Sequence, residues 1–128
     1  MKFLLDTHVF LWWIMDSPQI SENARKLMSE RSSDLFWSSA SSWEIAVKYA
    51  NGKLPLPDEP EVFIMSDLSS NRISSLSITD EHSFMAGMLP IHHRDPFDRM
   101  LIAQSNFENM PLITSDQIMS QYEVKTIW

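Results

Sequence analysis

A chain of 128 residues with 44% hydrophobic content has the size of one domain, residues 1–128, and enough apolar mass for one core. The absence of Cys excludes a disulfide framework and a thiolate metal site and is compatible with a cytoplasmic protein, while no window approaches the ~20 apolar residues of a membrane span, so neither a targeting segment nor a membrane partner is expected. Ten basic against seventeen acidic residues, a formal charge of −7, argue against a broad basic face for duplex DNA, although acids that hold divalent cations would invert the local field.

The chain opens on Phe3-Leu4-Leu5, an apolar run too short for a surface helix and expected as a central strand buried on both faces, which stops at Asp6. His8 to Ile14 reads as a first helix, broken by Asp16-Ser17-Pro18. A second helix opens at Ser21 and runs to about Arg31, with Ala24, Leu27 and Met28 on one stripe. Asp34 to Ser38 reads as the second strand. Ser41 and Glu44 have capping-box spacing at the head of the next helix, and Gly52 is its left-handed stop. Pro55, Pro57 and Pro60 make an extended loop before a helix from about Glu61 to Ser69, with Val62, Met65 and Leu68 on one side. Arg72 to Leu76 reads as a strand, and Thr79 caps a helix carrying Phe84, Met85, Met88 and Leu89 that ends before Pro90. Asp95 caps the clearest helix start, with Pro96 at its first position. Pro111 to Thr114 and Val124 to Ile127 complete the strands. Strands separated by helices imply a mainly parallel sheet of four or five strands with right-handed crossovers, in a three-layer α/β/α fold.

In such a fold a strand's carboxyl end and the following helix's amino end share one edge, where ligands bind. Asp6 and Asp116 follow strands, and Glu44 and Asp98 sit in the first turn or so of helices, so four acids converge on one cleft. Packed carboxylates repel and raise each other's pKa unless a divalent cation lies between them. With oxygen donors and no Cys, the expected ion is Mg2+ or Mn2+. Each acid also has a structural explanation: Asp98 complements a helix dipole, Glu44 closes a capping box, and Asp6 and Asp116 cap the turns after their strands. The coincidence of all four on one edge favours the metal site.

Other side chains compete for roles. Lys48 and Arg99 are candidates to neutralise phosphate charge, although Arg99 could equally pair with a neighbouring acid. His92-His93 beside Asp95 offer a general base or metal pair, but adjacent loop residues rarely point the same way. His8 is expected to satisfy backbone or cover the first helix. Most of Trp12, Trp13, Trp37 and Trp43 are expected in the core rather than stacking bases, and an exposed Trp12 or Trp13 would point to a protein-binding groove.

Four segments taken together, Leu4-Leu5-Asp6-Thr7-His8, Ser42-Trp43-Glu44-Ile45, Asp95-Pro96-Phe97-Asp98-Arg99-Met100-Leu101-Ile102-Ala103 and Thr114-Ser115-Asp116, resemble the PIN-domain ribonucleases and are most similar to the VapC toxins of toxin-antitoxin pairs. The resemblance implies a PIN-like fold, a homodimer, and an Mg2+- or Mn2+-dependent endoribonuclease inhibited by a cognate VapB-like antitoxin. It places Asp6 and Asp98 as the principal metal ligands, Glu44 as the acid after the second strand, and Asp116 as the fourth acid, with Thr114 or Ser115 as the small polar residue beside it. Ser115 thereby joins Lys48 and Arg99 among candidate substrate contacts. The mechanism that fits is metal-assisted hydrolysis of an RNA phosphodiester without a covalent intermediate. The competing readings are a metal-dependent DNA nuclease or phosphatase using the same ligands, and a non-catalytic α/β interaction module.

Overall fold

The computed structural model describes residues 1–128. Five strands, β1 (Lys2–Leu5), β2 (Asp34–Ser38), β3 (Ile73–Leu76), β4 (Leu112–Ile113) and β5 (Thr126–Ile127), form one sheet in the order β3-β2-β1-β4-β5, and every pairing is parallel. Parallel neighbours need long crossovers, and the chain supplies them as α1 (Thr7–Ile14), α2 (Glu22–Ser29), α3 (Ser39–Ala50), α4 (Pro60–Ser70), α5 (Asp80–Gly87) and α6 (Pro96–Glu108).

The expected central strand is β1: Leu4 pairs with Phe36 on one side and Leu112 on the other. Side chains alternate between faces along a strand, and here each face has its own core. Phe3 and Leu5 join Val9, Phe10, Ala24, Met28, Ile64 and Leu68, whereas Leu4 joins Leu101, Ile102, Met110, Leu112 and Tyr122. Past the exposed Lys2, every side chain of β1 is buried and apolar, and the first acid stands where the strand ends. That position is Asp6.

Two expectations about helices are corrected. The third helix does not begin with a Ser41–Glu44 capping box: β2 runs directly into α3, Ser38 caps it by accepting from the Ala40 N–H at 3.0 Å, and Glu44 falls in the second turn. Its end follows expectation, with Gly52 at φ +71° after the Asn51 cap. In α4 the buried stripe is Ile64 and Leu68, while Val62 and Met65 are exposed. Likewise Phe84 and Met88 of α5 face outward, and its buried residues are Ala86 and His82. Thr79 does cap α5, through a reciprocal pair with His82, and Asp95 caps α6 by accepting from the Phe97 and Asp98 N–H groups.

Candidate metal centre

The carboxyl edge of the sheet gathers the four acids. Asp6 stands at the end of β1 and is 4% exposed; Glu44 of α3 is 2% exposed. Asp98 sits in the first turn of α6, and Asp116 lies three residues beyond β4. The negative charges of Asp6, Glu44 and Asp116 all act on Asp98, and those of Glu44 and Asp116 act on Asp6.

Several of these carboxylates have one oxygen held by the protein and another left open. Asp6 Oδ2 accepts from the Thr114 hydroxyl at 2.7 Å, while Oδ1 is buried without a partner. Glu44 Oε2 takes the Lys48 ammonium at 2.6 Å, while Oε1 is buried without a partner. Asp116 Oδ1 accepts from the Ile118 N–H at 2.8 Å, and its Oδ2 lies 3.5 Å from His93 Nε2. Asp98 Oδ2 lies 2.8 Å from the same nitrogen. A buried anionic oxygen without a donor is costly, and two at one sheet edge make a place that a cation would fit.

Burial and repulsion leave their mark on the protonation of the site. Asp98 is pushed up to about 8, first by desolvation and then by the charges of Asp95, Asp6, Glu44 and Asp116. Asp6 is also raised by burial, against the opposing bond from Thr114. Burial opposes the charge of Lys48, but its contact with Glu44 prevails and holds the ammonium above its usual range. These carboxylates are therefore poor at staying charged alone and well placed to be charged around a divalent ion.

The structural explanations for the acids separate cleanly. Asp6 occupies the cap position of α1 but its side chain makes no capping bond. The capping role proposed for Glu44 falls with the earlier start of α3. Asp116 does turn one oxygen to its own backbone, at Ile118, and keeps the other toward the cleft. Asp95 is the pure cap that its sequence position indicates.

A family model described as PIN domain matches residues 3–125. The chain belongs to the PIN domain family. Solved structures agree on the fold: VapBC2 from Rickettsia felis bound to a promoter DNA fragment is 15% identical with a TM-score of 0.72, over 99% of this chain and 98% of that one. VapBC-1 from nontypeable Haemophilus influenzae and VapBC-5 from Mycobacterium tuberculosis are each 19% identical with TM-scores of 0.62. They cover 99% and 98% of this chain and 97% of each of theirs. No curated protein matches the chain in sequence.

In this PIN domain the polar residue beside the fourth acid is Thr114, whose hydroxyl bonds Asp6 and accepts from the Asp116 N–H at 3.0 Å; Ser115 is exposed. Arg99 is employed elsewhere. Its guanidinium donates to the carbonyls of Ala86, Leu89 and Pro90 at 2.9, 3.1 and 2.9 Å, tying the end of α5 to α6. With those donors on backbone carbonyls, the guanidinium is neither paired with an acid nor free to offer its Nη groups to a phosphate. Lys48 faces Glu44, and its side chain is 39% exposed, so it stays at the cleft. Of the tryptophans, Trp37 is buried, Trp12 and Trp13 are half-buried, and Trp43 is 60% exposed.

His93 is the residue that sequence reasoning set aside. The argument that adjacent histidines diverge holds for the pair: His92 packs edge-on against Tyr122. It does not hold for each member, and the divergence is what sends His93 to the acids. The usable signal was its place two residues before the Asp95 cap, on the loop that delivers Asp98.

Proposed function

We propose that the protein is a divalent-metal-dependent endoribonuclease, the toxin of a toxin-antitoxin pair, with its active site at the carboxyl edge of the sheet. The observation that carries this reading is the pair of buried, unpartnered oxygens, Asp6 Oδ1 and Glu44 Oε1, beside Asp98 and Asp116. Asp6, Glu44, Asp98 and Asp116 fit Mg2+ or Mn2+ and would hold it, because hard oxygen donors suit those ions. When bound, such an ion lowers the pKa of water toward neutrality and offsets charge on a phosphodiester.

The chain's own residues prepare that chemistry. Thr114 fixes Asp6 so that one oxygen stays free, and Lys48 does the same for Glu44. The Thr7 hydroxyl donates to Ser41 Oγ at 2.7 Å, locking the start of α1 against α3 and thereby the spacing of Asp6 from Glu44. Burial of Asp6 and Glu44 keeps bulk water from competing for their open oxygens. At the rim, the exposed Trp43 meets Phe97 edge-to-face with ring centroids 5.0 Å apart. Each ring immediately precedes an acid of the site, and the pair offers a surface on which a base of single-stranded RNA can stack.

Two features support an antitoxin partner. The similar solved structures named above are complexes of the VapBC type. An apolar cavity of about 500 Å³, lined by Leu11, Ile14, Leu54, Leu56 and Phe63 among others, suits an apolar segment of a small protein. The exposed Phe84, Met88 and Ile91 support a homodimer in the same way.

The test is cleavage of a mixed RNA pool by the purified protein, freed of any copurifying partner, beside DNA of equal sequence. The expected result is discrete RNA cleavage that needs Mg2+ or Mn2+ and disappears in Asp6→Ala and Asp98→Ala. Cleavage of DNA alone, or metal-independent activity, overturns the reading.

A further inference from the structure

We propose, resting on the metal-site reading above, that His93 is a direct ligand of the divalent ion through Nε2, giving a nitrogen-and-oxygen set that favours Mn2+ over Mg2+. His93 Nε2 and carboxylate oxygens of Asp98 and Asp116 all lie within 4.8 Å of one another. The short distance from Nε2 to Asp98 Oδ2, 2.8 Å, suggests a hydrogen bond at first sight. Yet Nε2 is buried and makes no hydrogen bond, because the ring is not aligned with that oxygen. Donors 2.0–2.1 Å from the centre of an octahedron are about 3 Å from their neighbours, so a non-bonded contact of this length is the edge of a coordination sphere.

Asp6 and Glu44 lie outside that close-set trio and add their negative charge to the surroundings of Asp98. Asp6 and Glu44, each more than nine-tenths buried, leave Oδ1 and Oε1 unpartnered where their charges act on Asp98. The loop that carries His93 is also held in place. The Tyr122 hydroxyl accepts from the His92 and His93 N–H groups at 3.1 and 2.7 Å, and Arg99 donates to the His93 carbonyl at 3.4 Å. Clamping a loop residue from two elements is how a ligand is preorganised. The second ring nitrogen, Nδ1, accepts from the Asp95 N–H at 3.4 Å, a long contact that ligation through Nε2 gives up as the ring proton moves to Nδ1. Mn2+, although it too favours oxygen donors, accepts an imidazole nitrogen more readily than the harder Mg2+, which sets the expected preference.

The full-length protein loaded with Mn2+ alone, studied by pulsed electron paramagnetic resonance, tests this without reference to activity. The expected spectrum shows the coupling of a directly coordinated 14N, shifts with 15N-histidine labelling, survives in His92→Ala and is lost in His93→Ala. His93→Ala is also expected to lower Mn2+ affinity by about tenfold or more, and Mg2+ affinity by less, with the circular dichroism spectrum unchanged. Bound Mn2+ without a coordinated nitrogen, or a coupling that persists in His93→Ala, overturns the role of His93 and leaves the acid site standing. Failure of Mn2+ to bind at all overturns the metal site and this inference together.

Discussion

Two clusters of buried ionisable groups lie within this small domain, and they differ in how fully they are partnered. Between α5 and α6, His82 is fully buried; its Nδ1 accepts from the Thr79 N–H at 3.1 Å and lies 3.3 Å from Gln104 Nε2, and its Nε2 meets Glu108 Oε2 at 2.8 Å. Only the Gln104 carbonyl oxygen there lacks a partner. At the carboxyl edge of the sheet, by contrast, Asp6, Glu44 and His93 each keep a buried atom open, and four carboxylates share a single ammonium, that of Lys48 on Glu44. The first cluster is closed and joins two helices. The second is left open, which on the proposed metal-site reading is the place of a cation, and the contrast sets burial that holds a fold together against burial that prepares chemistry.

Mutations in the two clusters should therefore part company. Asp6→Ala or Asp98→Ala is expected to lower RNA cleavage by more than about 100-fold, since loss of even an outer partner of a metal ligand costs 10–100-fold. Circular dichroism should show the fold intact. His82→Ala is expected to do the reverse: it leaves Glu108 partly buried without its partner and opens a cavity, lowering stability by about 2–4 kcal/mol in urea unfolding. Activity per folded molecule should stay unchanged. An inactive but stable His82 variant would break the comparison.

Thr114→Val lies between these extremes. It removes the hydroxyl that aligns Asp6 and takes the Asp116 N–H, so metal affinity measured by calorimetry should fall about 10–100-fold with little change in melting temperature.

The smallest effect is on pH dependence in the absence of metal. Asp98 ordinarily titrates at 3.8 and is pushed up to about 8 in the folded protein, so the folded state holds its proton more tightly than the unfolded one. Its contribution to stability is present in acid and is lost as pH rises from about 4 through about 8. In chelator, the melting temperature should fall across that window, more steeply than in Asp98→Asn, and excess Mn2+ should restore it at the alkaline end.

Much of this was legible in the sequence, for reasons that can be named. Phe3-Leu4-Leu5 announces a strand buried on both faces because no polar residue interrupts it, and the acid that ends it marks the ligand edge. Asp95-Pro96 announces a helix start because cap and proline act locally. Glu44 was placed at the site by its position early in the helix after the second strand; only its competing capping-box explanation was mistaken, since that spacing is common and the true cap, Ser38, is set by the direct passage from β2 into α3. The outward faces of Val62, Met65, Phe84 and Met88 were illegible because periodicity fixes a stripe but not which neighbour covers it. Arg99 and His93 both depart from their sequence reading for a tertiary reason: the loop before α6 folds back under Tyr122, the arginine bonds backbone carbonyls, and the histidine stands beside Asp98 and Asp116. No spacing rule contains that contact.

The most direct measurement is anomalous diffraction from a crystal of the protein soaked in Mn2+. The account predicts a peak bounded by Asp6, Glu44, Asp98 and Asp116 that is absent in Asp98→Ala. Crystals that diffract well and show no peak there at saturating Mn2+ would contradict it, and the open oxygens at the sheet edge would then need another explanation.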